Sequence, residues 1–383
     1  MGSLGHQWTI VGLGGLSCGM GGLWWIVAPM SSRHDAVVNA APQIRVLPRA
    51  TQSRPSFPAS SSDQPIAPPT SHLSPIDRKI FNQLRRRAIA EDWTNLPIGT
   101  LTQRVGESFL GSEYQASLLD RVSLNTLENA SQNISKKTSQ TLLQNSPNNT
   151  SIQETLTASL QQFDCVLFVE TALALAQTFH QPNLTDAQAE TLFFNVLQQY
   201  RYRNGTLIDY CSRLHYFSDW ILDHDRRGLV QEMGRSLRGL PLDRSLTFMS
   251  QNWKKYPVLV AHPEFRTCIT ETEAAIDTNK VFYLPTQQIS QHYSKLQPGD
   301  VVGIVTRMKG LDVTHSGLVY QRLNTKGADA EGADAKGAAR SSKTGLLHAS
   351  VRSGIKISSD LATYVAGVDG AIGIVVARPL PLK

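Results

Sequence analysis

The chain has 383 residues, 41% of them hydrophobic, with 37 Lys and Arg against 31 Asp and Glu and a formal net charge of +6. That balance excludes a wholly disordered polymer and leaves room for one large domain, or one domain with an extra lobe. The excess charge is local. Residues 1–90 hold nine basic side chains (Arg33, Arg45, Arg49, Arg54, Arg78, Lys79, Arg85, Arg86 and Arg87) against Asp35, Asp63 and Asp77, and the remainder is neutral. A nucleic-acid binder concentrates positive charge on its folded domain, so no nucleic-acid partner is expected.

Trp8 to Pro29 is uncharged, apolar and rich in glycine, with Trp24, Trp25, Ile26 and Val27 in its second half. Residues 1–40 therefore read as a secretory signal peptide or as a single N-terminal membrane anchor, and the sequence leaves both open. Residues 41–76 are dense in Pro, Ser, Thr and Gln and read as a disordered tether. The expectation is an exported protein of the periplasm or cell envelope, with membrane association through the apolar segment. The basic tether and first helix suit an anionic membrane or wall surface, or merely keep a linker soluble. Beyond Cys18 there are three cysteines, an odd number; Cys165 is the natural free thiol, and a Cys211–Cys268 bridge is allowed by arithmetic alone.

Asp77 to about Trp93 has helical spacing, and a Gly-rich turn follows at Phe109-Leu110-Gly111-Ser112-Glu113-Tyr114. Residues 122–150, rich in Ser, Asn, Thr and Gln, read as a surface insertion. Helix is expected again from about Ile152, then from Cys165 to about Thr178, then from Thr185 to Tyr200 behind a Thr185-Asp186 start. Ser218-Asp219 opens a further helix through Asp223. From Val281 the texture is β, with segments at 281–285, 300–306 and 315–323, a Pro298-Gly299-Asp300 turn, and a last strand from Gly373 to Arg378. The tandem Gly-Ala-Asp-Ala repeat within 324–343 reads as a long hairpin loop between two strands, each carrying one histidine.

The chemistry centres on Cys165. A cysteine at a helix start sits where unsatisfied backbone N–H groups and the helix dipole favour a thiolate, and Asp164 before it is a natural N-cap. Judged alone, such a cysteine is an ordinary buried one. His315, followed by Gly317 on the same strand face, is the candidate general base; His348, on the strand across the loop, is the candidate that orients it. A satisfied core histidine is the bland alternative for each. His215 and His224 lack a cysteine or carboxylate cluster at ligand spacing, so neither metal nor cofactor is expected.

Phe163-Asp164-Cys165 with Phe168-Val169-Glu170-Thr171, Ser212-Arg213-Leu214-His215-Tyr216 with Asp219-Trp220, Pro298-Gly299-Asp300, Gly310-Leu311-Asp312 with His315-Ser316-Gly317, and His348-Ala349-Ser350 occur in this order. Together they resemble the N-acetylmuramoyl-L-alanine amidase-like branch of the NlpC-type cell-wall cysteine hydrolases, over about Asp77 to Arg378. The resemblance implies an α+β, papain-like NlpC-type fold: a nucleophile-bearing helix on an antiparallel sheet or half-barrel, with extra helices and the insertions 122–150 and 324–343, all within a catalytic domain 77–383. It implies a Cys165, His315, His348 triad that forms a thioester and cleaves the amide between the muramic lactyl group and L-alanine. Peptidoglycan or muropeptide fragments are the implied partners.

Around that triad, Tyr114, Asp164, Arg213, His215, Tyr216, Trp220 and Asp312 are the candidate substrate-binding residues. Arg213 offers a fork for a substrate carboxylate, Tyr216 and Trp220 offer faces for sugars or anchor the core instead, and Tyr114 corresponds to a tyrosine placed beside the nucleophile. Glu113 departs from the family, which has proline before that tyrosine. Two other readings stay open: a γ-D-glutamyl-diamino-acid endopeptidase on the same fold, and a non-catalytic peptidoglycan-binding module.

Overall fold

An apolar run such as Val301-Val302-Gly303-Ile304-Val305 is at home in a sheet covered on both faces. In the computed structural model, which describes residues 72–120, 154–322 and 344–382, it is the fully buried strand β6. The apolar segment at 1–40, nearly all of the tether, and the insertions at 122–150 and 324–343 lie outside the described residues. No helix among the described residues is long and apolar enough to cross a membrane.

The described helices are α1 (Pro75–Ala90), α2 (Ile98–Glu107), α3 (Cys165–Phe179), α4 (Asp186–Arg201), α5 (Phe217–Arg227), α6 (Phe248–Gln251), α7 (Pro257–Ala261), α8 (Phe265–Ala275) and α9 (Leu361–Ala366). The strands are β1 (Glu113–Tyr114), β2 (Gln162–Phe163), β3 (Val230–Glu232), β4 (Leu240–Pro241), β5 (Phe282–Pro285), β6 (Val301–Thr306), β7 (Val313–Tyr320), β8 (Gly345–Ser350), β9 (Gly354–Ser358) and β10 (Ala371–Pro379). Seven of them form an antiparallel order β4-β5-β10-β6-β7-β8-β9, with β3 added against β10. The mixed helix and antiparallel-sheet architecture agrees with the expected α+β class.

Alternation along β6 explains the layers. Val301 and Val305 pack with α3 residues such as Phe168 and Leu173, whereas Val302 and Ile304 face Ile289, Leu361 and Val365 on the opposite side. Apolar area on both faces is thereby removed from water, worth ~25 cal/mol per Å². Gly106 lets α2 lie close: a Cβ there would meet Leu347 Cδ2 at 2.9 Å and Leu318 Cδ1 and Phe168 Cζ at 3.2 Å. A separate cluster of Tyr210, Tyr216, Met249, Tyr256, Leu259 and Phe265 forms a side lobe. It is stapled by a Cys211–Cys268 disulfide with a Cα–Cα distance of 6.1 Å, the pairing that residue counting merely allowed.

Two expectations change. Residues 154–161 contain no helix, although one was expected from about Ile152. Their polar groups have tertiary partners instead: Leu160 N donates to Asp77 Oδ1 at 2.9 Å, and Thr157 O accepts from Arg201 at 2.5 Å. Those contacts outweigh local helix propensity. The basic cluster on α1 is also partly neutralised. Arg78 pairs with Glu190, Arg85 with Asp186 and Arg87 with Glu91, so it offers less charge to an anionic surface than its sequence suggests.

Candidate active site

Helix α3 begins where the sequence places it, for the anticipated reason. The Asp164 carboxylate accepts hydrogen bonds from Val166 N (3.0 Å) and Leu167 N (2.8 Å), so Cys165 is the first helical residue. Burial pushes the Asp164 carboxyl up to about 6 even though those two N–H groups pull the other way. The short parallel pairing of β1 with β2 sets Tyr114 opposite Phe163, two residues before the cysteine. On the far side, Ser316 Oγ donates to the Cys165 carbonyl at 3.1 Å and ties the start of α3 to β7.

Cys165 is buried and is not the free thiol the count suggested. It is disulfide-bonded.

Neighbouring β7 and β8 carry the two histidines. The ladder between these strands runs from Leu318↔Leu347 to Tyr320↔Gly345 and stops short of His315 and His348. There His315 Nε2 meets His348 Nδ1 at 2.8 Å, and His348 Nε2 meets Ser358 Oγ on β9 at 3.0 Å. Gly317 permits this approach: a Cβ would lie 2.8 Å from Leu347 O and 2.9 Å from His348 Cβ. His315 Nδ1 is buried and has no hydrogen-bond partner among the described residues. Burial, followed by the neighbouring His348, holds His315 well below the ordinary histidine range. Burial and then Lys356 lower His348 to about 4, so both rings are neutral near pH 7.

Cys165, His315 and Ser316 border one cavity with Asp120, Arg213, His215 and Tyr256. The two sides of the sheet divide them. Ser316 and Leu318 face α3, so alternation turns the His315 ring, with His348, toward the face covered by α9, where the Tyr364 ring lies 4.6 Å from His348.

The other expected site residues have identifiable duties. Arg213 is committed to Asp120 (3.0 Å) and Glu154 (2.6 Å) instead of holding an open fork. Burial opposes its charge, and the two carboxylates overcome that and raise its pKa. His215 borders the cavity, contacts Tyr210 O at 2.8 Å, and is lowered to about 3 by burial and then by Arg213. Tyr216 donates to Glu273 at 2.5 Å and Trp220 stacks on Tyr200 and Phe217; both border the cavity while anchoring the interior. Asp312 is fully buried and outside the cavity lining, and accepts from Ser218 N at 2.6 Å, fixing the start of α5.

Sequence reasoning missed Asp120 and Glu154, which flank the insertion with no motif to mark them. It also missed the Glu170–Arg201 ion pair of 2.9 Å, with both side chains buried. One signal for that pair was present, a glutamate inside an otherwise apolar helix.

The helices and the antiparallel sheet, with Cys165 and His315 bordering one cavity, fit the α+β architecture of the solved amidase-like structures. The chain belongs to the AmiA-like family, described as N-acetylmuramoyl-L-alanine amidase-like, whose model matches residues 130–370. Among solved structures it is similar to an N-acetylmuramoyl-L-alanine amidase from Bacteroides uniformis, at 25% identity and a TM-score of 0.54, over 74% of this chain and 99% of that one. It is also similar to a putative xylanase from Bacteroides fragilis, at 27% identity and a TM-score of 0.54, over 72% of this chain and 99% of that one. No curated protein matches it.

Proposed function

We propose that the protein is a cysteine-dependent N-acetylmuramoyl-L-alanine amidase of the papain-like NlpC type, exported to the cell envelope and acting on peptidoglycan or its muropeptides. The observation that carries this reading is the histidine pair: His315 is held through Nε2, its buried Nδ1 has no partner among the described residues, and His315 borders the same cavity as Cys165. Family membership supplies the amide.

The reaction needs Cys165 as the free thiol, which an added thiol reductant supplies by taking the cysteine's disulfide through exchange and being oxidised in its place. His315 Nδ1 removes the thiol proton, and the sulfur attacks the lactyl carbonyl. The tetrahedral adduct collapses as the C–N bond breaks, and the proton passes from His315 to the departing L-alanine nitrogen. Water, deprotonated by the same Nδ1, then attacks the thioester and regenerates the thiol with a free lactyl carboxylate. His348 holds His315 in the required orientation throughout. Asp120, Arg213 and Tyr256 form the wall against which the peptide or sugar rests. Turning the His315 ring toward the sulfur at the β7 end is the adjustment this mechanism demands.

The test is digestion of defined muropeptides under reducing conditions, followed by mass analysis. Intact peptide beginning with L-Ala supports the amidase; release of L-Ala-D-Glu supports the γ-D-glutamyl endopeptidase instead. Full activity in Cys165→Ala sinks the nucleophile assignment, and binding without turnover by the reduced wild-type protein leaves a wall-binding module.

A further inference from the structure

We propose that Ser358 is a positioning residue for the histidine pair, setting through His348 which nitrogen of His315 is free to accept a proton. The proposal rests on the reading of His315 as the base.

Three nitrogens and one hydroxyl form a line: His315 Nε2 to His348 Nδ1 at 2.8 Å, then His348 Nε2 to Ser358 Oγ at 3.0 Å. Both rings are held neutral, so each carries one N–H, and the line has only two consistent proton arrangements. In the first, His315 Nε2–H donates to His348 Nδ1, His348 Nε2–H donates to Ser358 Oγ, and His315 Nδ1 is a bare lone pair. In the second, His348 Nδ1–H donates to His315 Nε2, which places a proton on His315 Nδ1 and removes the base. The Ser358 hydroxyl accepts from His348 Nε2–H in the first arrangement and donates to the bare Nε2 in the second; an orphaned buried N–H is the costlier of the two losses, so the first arrangement depends on Ser358 more strongly. Without that oxygen His348 gains by keeping its proton on Nδ1, where His315 accepts it.

The β8–β9 hairpin builds this contact. His348 pairs with Lys356 and Leu346 with Ser358, so Ser358 is the diagonal neighbour of His348 on the same sheet face. Lys356 flanks the ring as well, and its charge works against an imidazolium there. Among the described residues no carboxylate shifts either histidine, so a neutral hydroxyl ends the line and both rings stay uncharged.

The experiment compares reduced wild-type protein with Ser358→Ala and Ser358→Thr, reading kcat and KM on a muropeptide substrate. Imidazole 15N shifts are measured in a Cys165→Ala background, where no turnover is needed. The expected result is a roughly tenfold or greater fall in kcat for Ser358→Ala with KM little changed, short of the ~10²–10⁴-fold that losing the base itself would cost. The His348 proton moves from Nε2 to Nδ1 in the 15N spectrum, and Ser358→Thr restores both readouts. Unchanged kcat and 15N shifts in Ser358→Ala overturn the proposal, as does a threonine variant as impaired as the alanine one. Activity surviving in Cys165→Ala would sink the amidase mechanism instead, and the 15N comparison separates that failure from this one.

Discussion

His315 Nε2 lies 2.8 Å from His348 Nδ1, while His315 Nδ1 has no partner among the described residues. If this bond orients the base, His348→Ala lowers kcat/KM by roughly 10²-fold, within the range assigned to a positioned acid or base. His348→Asn, whose amide oxygen can accept from Nε2–H, should fall less. Equal activity of wild type and His348→Ala in steady-state muropeptide hydrolysis removes His348 from the mechanism.

The pH profile has a definite sign. Burial depresses both histidines, His348 to about 4, and a base must be neutral to work. Activity should therefore persist as pH falls through 6.5, the ordinary histidine value, and disappear only well below it. Measuring kcat/KM from pH 3.5 to 8 checks this; an acid limb at or above 6.5 contradicts it.

Gly317→Ala places a methyl 2.8 Å from Leu347 O and 2.9 Å from His348 Cβ. Relief requires β7 and β8 to separate where the histidines meet. The expected cost is ~1–3 kcal/mol of stability by overpacking, with a larger proportional loss of kcat than of folded protein at 25 °C. Denaturant unfolding combined with kinetics on the folded fraction tests both parts.

Glu170 and Arg201 form a 2.9 Å pair with both side chains buried. Burial pushes Glu170 up to about 7, and Arg201 opposes that shift. Arg201→Leu leaves the carboxyl buried without its cation and should destabilise by ~3–5 kcal/mol. The double variant Arg201→Leu/Glu170→Leu should be less damaged than Arg201→Leu alone. Guanidinium unfolding of the four proteins in the cycle decides, and additive losses refute the pairing energy.

The Cys211–Cys268 bridge closes a sequence separation of 57 residues and ties Tyr210, at the cavity wall, to α8. A Cys211→Ser/Cys268→Ser variant should lose about 4 kcal/mol on the loop-entropy argument. It leaves Cys165 untouched, so thermal unfolding should drop while muropeptide turnover at low temperature persists. A wild-type melting temperature in that variant shows the bridge to be incidental.

Features governed by neighbours three or four residues away are legible in the sequence alone. Asp164 caps the Cys165 helix through N–H groups two and three residues on, and Thr185 with Gln188 closes a capping box at the start of α4. The apolar run at 301–305 announces a fully buried strand, and the ordered motifs announce the family that the chain belongs to. Where local propensity meets a tertiary competitor it loses: residues 154–161 give their polar groups to Asp77 and Arg201 and form no helix.

What the sequence by itself determined is therefore which residue opens the helix, which strands carry histidines and which family the chain belongs to. Only the tertiary structure decided that His315 meets His348 and that Ser358 stands behind them. It also decided that Arg213 answers Asp120 and Glu154, and that Cys211 reaches Cys268. The physical reason is range. A cap or a strand period is set by neighbours within a few bonds, whereas these partners are 10 to 93 residues apart and meet only where the sheet and its covering helices pack.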